Sequence, residues 1–220
     1  MWRWKNSKMG WRDLRTLLCL GLGVVWLVGI AAGTRILLDY ENRPATAHRS
    51  PERWPKDSAI ARLPKVPALV LFAHPQCPCT RATLGELALL MARLKGQLTA
   101  NVIFIRPKEM PENWEQTDLW RSASSIPGVT VMSDAGAIET NRFHAQASGQ
   151  TMLYGEDSRL LFSGGITASR GHSGDNAGRA AIVALVEAGK SERSSTPVFG
   201  CYLQAQDSRR DERVRDGTIN

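Results

Sequence analysis

The sequence predicts an α/β domain, a three-layer α/β/α sandwich with a central mixed sheet, preceded by one N-terminal transmembrane helix. Three observations predict this fold. Residues 16–34 contain no charged side chain, short apolar runs of strand length alternate with stretches of helical periodicity, and two of the later runs flank a turn sequence. With 220 residues, 43% of them hydrophobic, the chain is long enough for one domain with a substantial core, and a second full domain is not expected.

The net charge of +7 is concentrated at the N terminus. Residues 1–35 contain six basic side chains and one acidic one, whereas the rest of the chain contains 22 basic and 20 acidic side chains. Phosphate binding requires a basic face on the folded domain itself. Because this domain is nearly neutral, the composition argues against a nucleic-acid partner.

The uncharged stretch, TLLCLGLGVVWLVGIAAGT, is long enough to cross the hydrocarbon layer as a helix. More Lys and Arg residues precede it than follow it, which predicts a cytoplasmic basic N terminus at residues 1–15 and an anchor at residues 16–38. The domain would then be periplasmic or otherwise extracytoplasmic, tethered to the inner (plasma) membrane by a single span, in a compartment where disulfides persist. The small residues AAG also suit a cleavage site, so a signal peptide is the alternative.

Three further regions follow from composition. Residues 39–65 are rich in proline and charge and are predicted to be a linker. The folded domain is predicted over residues 66–203. The remaining residues, 204–220, are too polar to bury a core and are predicted to form a disordered tail.

The elements of the domain are predicted in the order β, α, β, α, β, a β-hairpin and a final α. The first strand is expected at residues 66–73, and the helix after it runs from Thr80 to a glycine stop at Gly96. The later elements are a strand, a helix, a strand, a short helix, the hairpin and the last helix: residues 101–105, 111–125, 129–132, 140–147, 150–165 and 175–188. Ser173 or Asp175 is expected to cap the last helix, and Gly189 to end it.

Two cysteines, Cys77 and Cys79, stand where the first strand ends and the first helix of the domain begins. Unpaired N–H groups and the helix dipole stabilise a thiolate at such a position and lower its pKa. Pro78 suits a first helical turn, where its missing N–H has no cost. His74 is a candidate to add positive charge or to shuttle a proton.

Cys201 is the third cysteine of the domain, and the sequence leaves the disulfide pairing open. A bond between Cys77 and Cys79 would close a small, strained and easily reduced ring, whereas a bond from either one to Cys201 would close a long loop. A plain stabilising disulfide is the structural alternative. The pair Cys77 and Cys79 with His172 is also a possible copper site, since thiolate and imidazole ligands suit copper; otherwise no cofactor or metal is expected.

Three separated blocks carry a resemblance to a known family: HPQCPCTRATLGEL, SGQTMLYGEDSRLLFSGGITASRGHSGDNAGRAAIVAL and TPVFGC. In these blocks the chain resembles the exported, membrane-anchored thioredoxin-like proteins of the RedB type, within the thioredoxin and peroxiredoxin superfamily. The resemblance covers about residues 66–203. It implies a thioredoxin fold with redox-active Cys77 and Cys79, and protein thiols or disulfides outside the cytoplasm as partners.

The chain departs from the thioredoxin pattern at two places. When the sequence is aligned on Cys-x-Pro-Cys, Gln76 stands at the position of the first cysteine, so Cys77 falls one position late. The cis-proline that faces the thioredoxin site is also missing, and Ser148 precedes the strand instead. The backbone of the next three residues, Gly149, Gln150 and Thr151, is expected to pair with a substrate strand.

The glycine-rich block GGITASRGHSGDNAG has two interpretations. It either brings Arg170 and His172 to the cysteines, to hold a thiolate or an anion, or only caps the final helix. The sequence therefore favours an anchored thiol-disulfide oxidoreductase that exchanges disulfides with a protein partner through Cys77 and Cys79. A copper metallochaperone and a thiol peroxidase, with Cys77 as the peroxidatic residue and Cys201 resolving, are the alternatives.

Overall fold

The structure is a computed structural model that describes residues 11–46 and 49–204. The chain divides into two compact units, and the boundary lies between Asn42 and Arg43. Most of the basic N-terminal segment and of the expected polar tail lies outside the described residues.

The N-terminal unit contains one long helix, α1 (Trp11–Glu41). Within it, the 28 residues of Leu14–Glu41 are long and apolar enough to cross a membrane. A helix rises about 1.5 Å per residue, so this length exceeds a hydrocarbon layer of about 30 Å. The predicted apolar helix is present, with the properties shared by a transmembrane span and a signal anchor.

The second unit is built on a five-stranded mixed sheet. Its strands are β1 (Ala68–Ala73), β2 (Thr99–Arg106), β3 (Val129–Ala135), β4 (Thr151–Tyr154) and β5 (Leu160–Gly164), in the spatial order β3-β2-β1-β4-β5. The pairs β1–β2 and β2–β3 are parallel, whereas β4 runs antiparallel to both β1 and β5. All six residues of β1 are buried. Because β1 is the central strand, its carboxyl end lies at the middle of one edge of the sheet.

Four helices accompany the sheet: α2 (Pro78–Arg93), α3 (Asp118–Ser124), α4 (Ile138–Arg142) and α5 (Ala177–Ala188). Alternate residues of β1 point to opposite faces, so Leu69 and Leu71 pack in one core with α2, α3 and α5. Val70 and Phe72 pack in a second core on the other face, which includes Phe143 just after α4. The predicted three-layer arrangement around a mixed sheet is confirmed.

Residues 54–60 cover part of that second face, although they belong to the expected linker. The ring of Trp54 lies edge-on to both Phe143 and Tyr154, with centroid distances of 5.2 Å. Ile60 is buried in the same core. The backbone N–H of Ala59 donates to the buried carboxylate of Glu139 at 3.0 Å. Part of the expected linker thus packs on the sheet, because the short α4 leaves apolar surface that needs cover.

Two predicted helices begin at other residues than expected. The helix predicted from residue 111 starts only at Asp118, since the residues before it form turns and Asn113 has a φ of +67°. The predicted short helix begins at Ile138 because the Asp134 carboxylate accepts the free N–H groups of Glu139 and Thr140, at 2.9 and 2.8 Å.

The last helix differs from the prediction in its cap. Asn176, and neither Ser173 nor Asp175, is the N-cap, and its side chain accepts the backbone N–H of Arg179 at 2.8 Å. Asp175 instead pairs with the Arg179 guanidinium. Gly189 ends the helix in the left-handed region, with a φ of +69°, as predicted.

Candidate functional site

The turn between β1 and α2 places Cys77 and Cys79, with Pro78 between them, at the carboxyl edge of the sheet. The Cys77 N–H donates to the His74 carbonyl at 3.1 Å, which closes the turn. Cys77 is the N-cap of α2 in an extended conformation, with Pro78 as the first helical residue. The N-terminus of a helix carries unpaired N–H groups and a partial positive charge. As the N-cap, Cys77 therefore lies at the positive end of α2.

Hydrogen-bond donors surround the Cys77 sulfur. The residue is 1% exposed, and the Cys201 backbone N–H donates to its sulfur with an N···S distance of 3.5 Å. Burial alone would raise the pKa of Cys77. The hydrogen bonds from Cys201, from the backbone N–H of Cys79 and from the Thr80 hydroxyl outweigh that effect and lower the pKa below that of an ordinary thiol.

The pKa values of the other two thiols, Cys79 and Cys201, are raised. Burial, followed by the negative charge of Cys77, raises the pKa of Cys79, although Arg170 opposes the shift. Burial and the hydrogen bond with Cys77 raise the pKa of Cys201 to about 12. All of these thiols are free in the structure. Of the three thiols, Cys77 is therefore the first to lose its proton as the pH rises.

Residues 198–203, called here the C-terminal segment, bring Cys201 to the turn across a sequence separation of 124 residues. The segment pairs with the loop before β4. The Ser148 N–H donates to the Cys201 carbonyl at 2.8 Å, and the Leu203 N–H donates to the Gln146 carbonyl at 2.9 Å. Between these bonds lies an antiparallel bridge that includes Tyr202.

His74 lies beside the cysteines, half-buried. The backbone N–H of Gln76 donates to Nδ1 of its ring at 3.2 Å, which leaves the ring proton on Nε2. The ring also makes an edge contact with Trp114 at 5.6 Å. Burial lowers the pKa of His74, so the ring is uncharged at neutral pH. Of its two predicted roles, this state favours proton transfer over the supply of positive charge.

Ser148 links the loop before β4 to the cysteine turn. Its hydroxyl accepts the backbone N–H of His74 at 2.9 Å and lies 2.7 Å from the Thr80 hydroxyl. No cis peptide bond occurs among the described residues. The Ser148 hydroxyl thus contacts the cysteine turn from the loop in which the thioredoxin pattern has a cis-proline.

The backbone of the loop predicted to pair with a substrate makes hydrogen bonds within the domain. The Gly149 N–H donates to the Phe72 carbonyl at 2.8 Å, and the Phe72 N–H donates to the Gln150 carbonyl at 3.0 Å. The side chains of Gln150 and Thr151 are buried. The Ser148 N–H, just before these residues, is bonded to the C-terminal segment through the Cys201 carbonyl.

The structure brings Arg170 to the site but not His172. The Arg170 guanidinium donates to the Gly200 carbonyl at 2.9 Å and to the Arg43 carbonyl at 3.3 Å, and it also faces Cys79. His172 is exposed, and its Nδ1 lies 2.9 Å from the carbonyl of Arg170. In the described part of the chain, no group of three or more His, Cys, Asp or Glu side chains is placed to hold a metal ion. The predicted set of Cys77, Cys79 and His172 is therefore not assembled.

A buried carboxylate fixes the Arg170 loop to the helix that carries the cysteines. Glu86 of α2 is 1% exposed and accepts hydrogen bonds from the Gly174 N–H at 2.7 Å and from the Asn176 side chain at 3.1 Å. It also forms an ion pair with Arg179. The glycine-rich block thus brings Arg170, but not His172, to the site, and its Asn176 caps α5.

The fold is thioredoxin-like. Similar solved structures are a hypothetical protein from Sinorhizobium meliloti 1021, 22% identical with a TM-score of 0.53 over 63% of this chain and 79% of that one, and an uncharacterized conserved protein from Geobacillus kaustophilus, 17% identical with a TM-score of 0.55 over 76% and 96%. A secreted Mycobacterium tuberculosis disulfide oxidoreductase, described as homologous to E. coli DsbE, is 20% identical with a TM-score of 0.37 over 44% and 68%. No protein-family model and no curated protein matches the sequence.

Three residues of the site are missing from the sequence-based set. Thr80 and Ser148 bond to each other beside Cys77. Gly200 lies so close to the Ser148 carbonyl oxygen that a Cβ on it would be only 1.9 Å away. Thr80 has a local signal, since it follows Cys79 directly in the first helical turn. The other two depend on a long-range contact that no local pattern indicates.

Proposed function

We propose that the protein is a membrane-tethered thiol-disulfide oxidoreductase of the RedB type that exchanges disulfides with extracytoplasmic protein partners through Cys77. The strongest support is the grouping of three thiols at the N terminus of α2, of which only Cys77 has a lowered pKa. Disulfide exchange needs a thiolate nucleophile and a second thiol that releases the partner. Cys77 supplies the first, and Cys79 and Cys201 are the candidates for the second.

The reaction proceeds in two exchanges. In the first, the Cys77 thiolate attacks one sulfur of the partner disulfide, a mixed disulfide forms, and the other partner sulfur leaves as a thiolate. In the second, the Cys201 thiol loses its proton and attacks the sulfur of Cys77, which releases the remaining partner thiolate. The partner gains two electrons and is reduced, while Cys77 and Cys201 are oxidised to a disulfide.

Cys201 is proposed as the resolving residue in preference to Cys79. Its N–H already contacts the Cys77 sulfur, and its thiol shares a hydrogen bond with Cys77. The long loop between the two lets the bond adopt ordinary disulfide geometry, whereas a bond across one intervening proline would be strained. His74, which is neutral and close to the turn, is proposed to take part in proton transfer.

The location is part of the same proposal. Residues 16–38 are proposed to anchor the chain in the inner membrane with residues 1–15 in the cytoplasm, and residues 39–65 to join the anchor to the redox domain of residues 66–203. The apolar helix α1 and the excess of positive charge before it support this orientation. Reactive thiols suit an oxidising compartment outside the cytoplasm.

The test is exchange with a protein disulfide, with the full chain in detergent or nanodiscs. Reduced protein is expected to reduce insulin, Cys77→Ser is expected to abolish the reaction, and Cys201→Ser is expected to accumulate the mixed disulfide with Cys77. Cys19→Ser is the matched control, because Cys19 lies in the apolar helix α1. Exchange that survives Cys77→Ser would overturn the proposal.

Copper carriage is a second candidate, since the grouped thiols are ligands that Cu(I) prefers. The predicted histidine ligand is not assembled with Cys77 and Cys79, so the thiols would have to serve without His172. Stoichiometric retention of Cu(I) against a chelator by the reduced protein, lost in Cys77→Ser, would favour this candidate. A thiol peroxidase is distinguished by rapid conversion of Cys77 to a sulfenic acid in hydrogen peroxide.

A further inference from the structure

The C-terminal segment lies over the thiol that disulfide exchange requires. Cys77 is 1% exposed, and the backbone of Cys201 lies within hydrogen-bond distance of its sulfur. A partner disulfide must bring one of its own sulfurs into contact with Cys77. With the segment in this position, no such approach is open.

The middle of the segment is held differently from its ends. Val198, Phe199 and Leu203 are buried, at 2%, 8% and 3% exposure, whereas Cys201 and Tyr202 are exposed. Hydrogen bonds attach this middle part: the Ser148 N–H donates to the Cys201 carbonyl, Arg170 donates to the Gly200 carbonyl, and the Tyr202 hydroxyl lies 3.4 Å from the Thr46 hydroxyl. A short exposed stretch between two buried anchors can detach locally without unfolding the domain, because few apolar contacts are lost.

Gly200 and Arg170 determine how closely the segment docks. A Cβ on Gly200 would lie 1.9 Å from the carbonyl oxygen of Ser148 and 2.9 Å from its carbonyl carbon, so any other residue there pushes the two backbones apart. Arg170 holds the segment from the other side through the Gly200 carbonyl at 2.9 Å. The docked position thus depends on one glycine and one guanidinium.

We propose that residues 200–202 form a displaceable cover: docked on Ser148 the cover shields Cys77, and a partner protein reaches Cys77 only after the cover has moved away. This proposal rests on the proposed function and describes its regulation. The partner that fits is an extended protein segment carrying a disulfide, because such a segment can replace the backbone hydrogen bonds that the cover gives up. The resolving step follows when the cover returns and brings Cys201 back to Cys77.

The test measures alkylation of Cys77 by iodoacetamide over a pH range, read by peptide mass spectrometry on the full reduced chain in detergent. The limiting rate at high pH reports access to the sulfur, and the midpoint reports thiolate stabilisation. Gly200→Ala is expected to raise the limiting rate at least about tenfold, since the clash with Ser148 pushes the backbones apart and weakens the hydrogen bonds that hold the cover. The midpoint is expected to move to higher pH because the Cys201 N–H is withdrawn. Arg170→Gln is expected to raise the limiting rate by a smaller factor.

Gly189→Ala is the matched control. Gly189 ends α5 with a φ of +69°, and a Cβ there meets no atom within 4 Å, so this variant has backbone strain without contact to the cover. It is expected to leave both the rate and the midpoint unchanged. The cover is refuted if wild-type Cys77 already reacts as fast as in Gly200→Ala, or if Gly189→Ala raises the rate equally. If Gly200→Ala exposes Cys77 but no variant exchanges with a protein disulfide, the cover stands and the proposed function fails.

Discussion

The ion pair that joins α2 to the Arg170 loop gives a prediction whose size follows from the structure. In Glu86→Gln, the side chain keeps its shape but one oxygen becomes an NH₂ group. In the native protein Oε1 accepts the Gly174 N–H at 2.7 Å, and Oε2 accepts hydrogen bonds from Arg179 and Asn176. The new NH₂ group must replace one of these two oxygens, and so it faces either the Gly174 N–H or the donors of Arg179 and Asn176. Each orientation leaves a buried donor without an acceptor, at a cost of about 1 to 3 kcal/mol. Arg179 also loses its buried charge partner and keeps only the exposed Asp175. We expect a total loss of about 2 to 4 kcal/mol.

Urea unfolding measures this loss, as a lower midpoint at an unchanged slope. Glu187→Gln is the control, because Glu187 also makes two bonds to an arginine, Arg93, at 3.0 Å each, but at the surface. Surface pairs contribute little, so the control is expected to unfold with the wild type. If both substitutions lowered the free energy of unfolding equally, the burial of Glu86 would not explain its contribution to stability. Glu86→Gln is also expected to weaken the attachment of the Arg170 loop to α2 and so to raise the rate of Cys77 alkylation.

Three further predictions concern reactivity and packing. Because its pKa is lowered, Cys77 is expected to stay reactive as the pH falls below the ordinary thiol range and to lose reactivity only below its own pKa; a pH profile that matches free cysteine would contradict this. Gly178→Ala is expected to destabilise the domain severely in thermal unfolding, since a Cβ there would lie 2.0 Å from the Gly165 carbonyl oxygen, and a normal melting temperature would contradict it. Trp54→Ala is expected to lose about 3 kcal/mol in urea unfolding, because its ring packs on the sheet, whereas a true linker residue would lose nothing.

The turn that carries the cysteines could be predicted because local physics determines it. An apolar run followed by helical periodicity defines β1 and α2, and Pro78 fits the first helical turn without loss of a hydrogen bond. The end of α5 at Gly189 could also be predicted from the sequence, since a left-handed C-cap favours glycine. In both cases the residues that determine the structure lie within a few positions of one another.

The surroundings of the turn could not be predicted because they depend on distant parts of the chain. Cys201 reaches Cys77 through pairing of residues 198–203 with the loop at Ser148, and no periodicity in either segment encodes that partner. Trp54 looked like a linker residue because prolines and charges surround it in sequence. Its packing against the second core follows from the apolar surface that α4 leaves open, which only the assembled sheet reveals.

The charge distribution also suggests an order of events for the three thiols. Burial raises the pKa of Cys79 in any state, but the next largest cause is the negative charge of Cys77, and the opposing influence is Arg170. If Cys77 and Cys201 form the proposed disulfide, that negative charge disappears while Arg170 remains. The pKa of Cys79 then falls, so Cys79 is better placed to attack the new disulfide at Cys77. This attack breaks the Cys77–Cys201 bond, forms the strained Cys77–Cys79 bond and frees Cys201, and the oxidation state of the site does not change. A strained disulfide is easier to reduce, so an added dithiol such as dithiothreitol supplies the two electrons that restore the thiols most readily from the Cys77–Cys79 pair. Cys79→Ser should therefore leave the first reduction of a partner intact and slow the re-reduction of the protein by dithiothreitol, which separates the roles of two cysteines that lie only two positions apart.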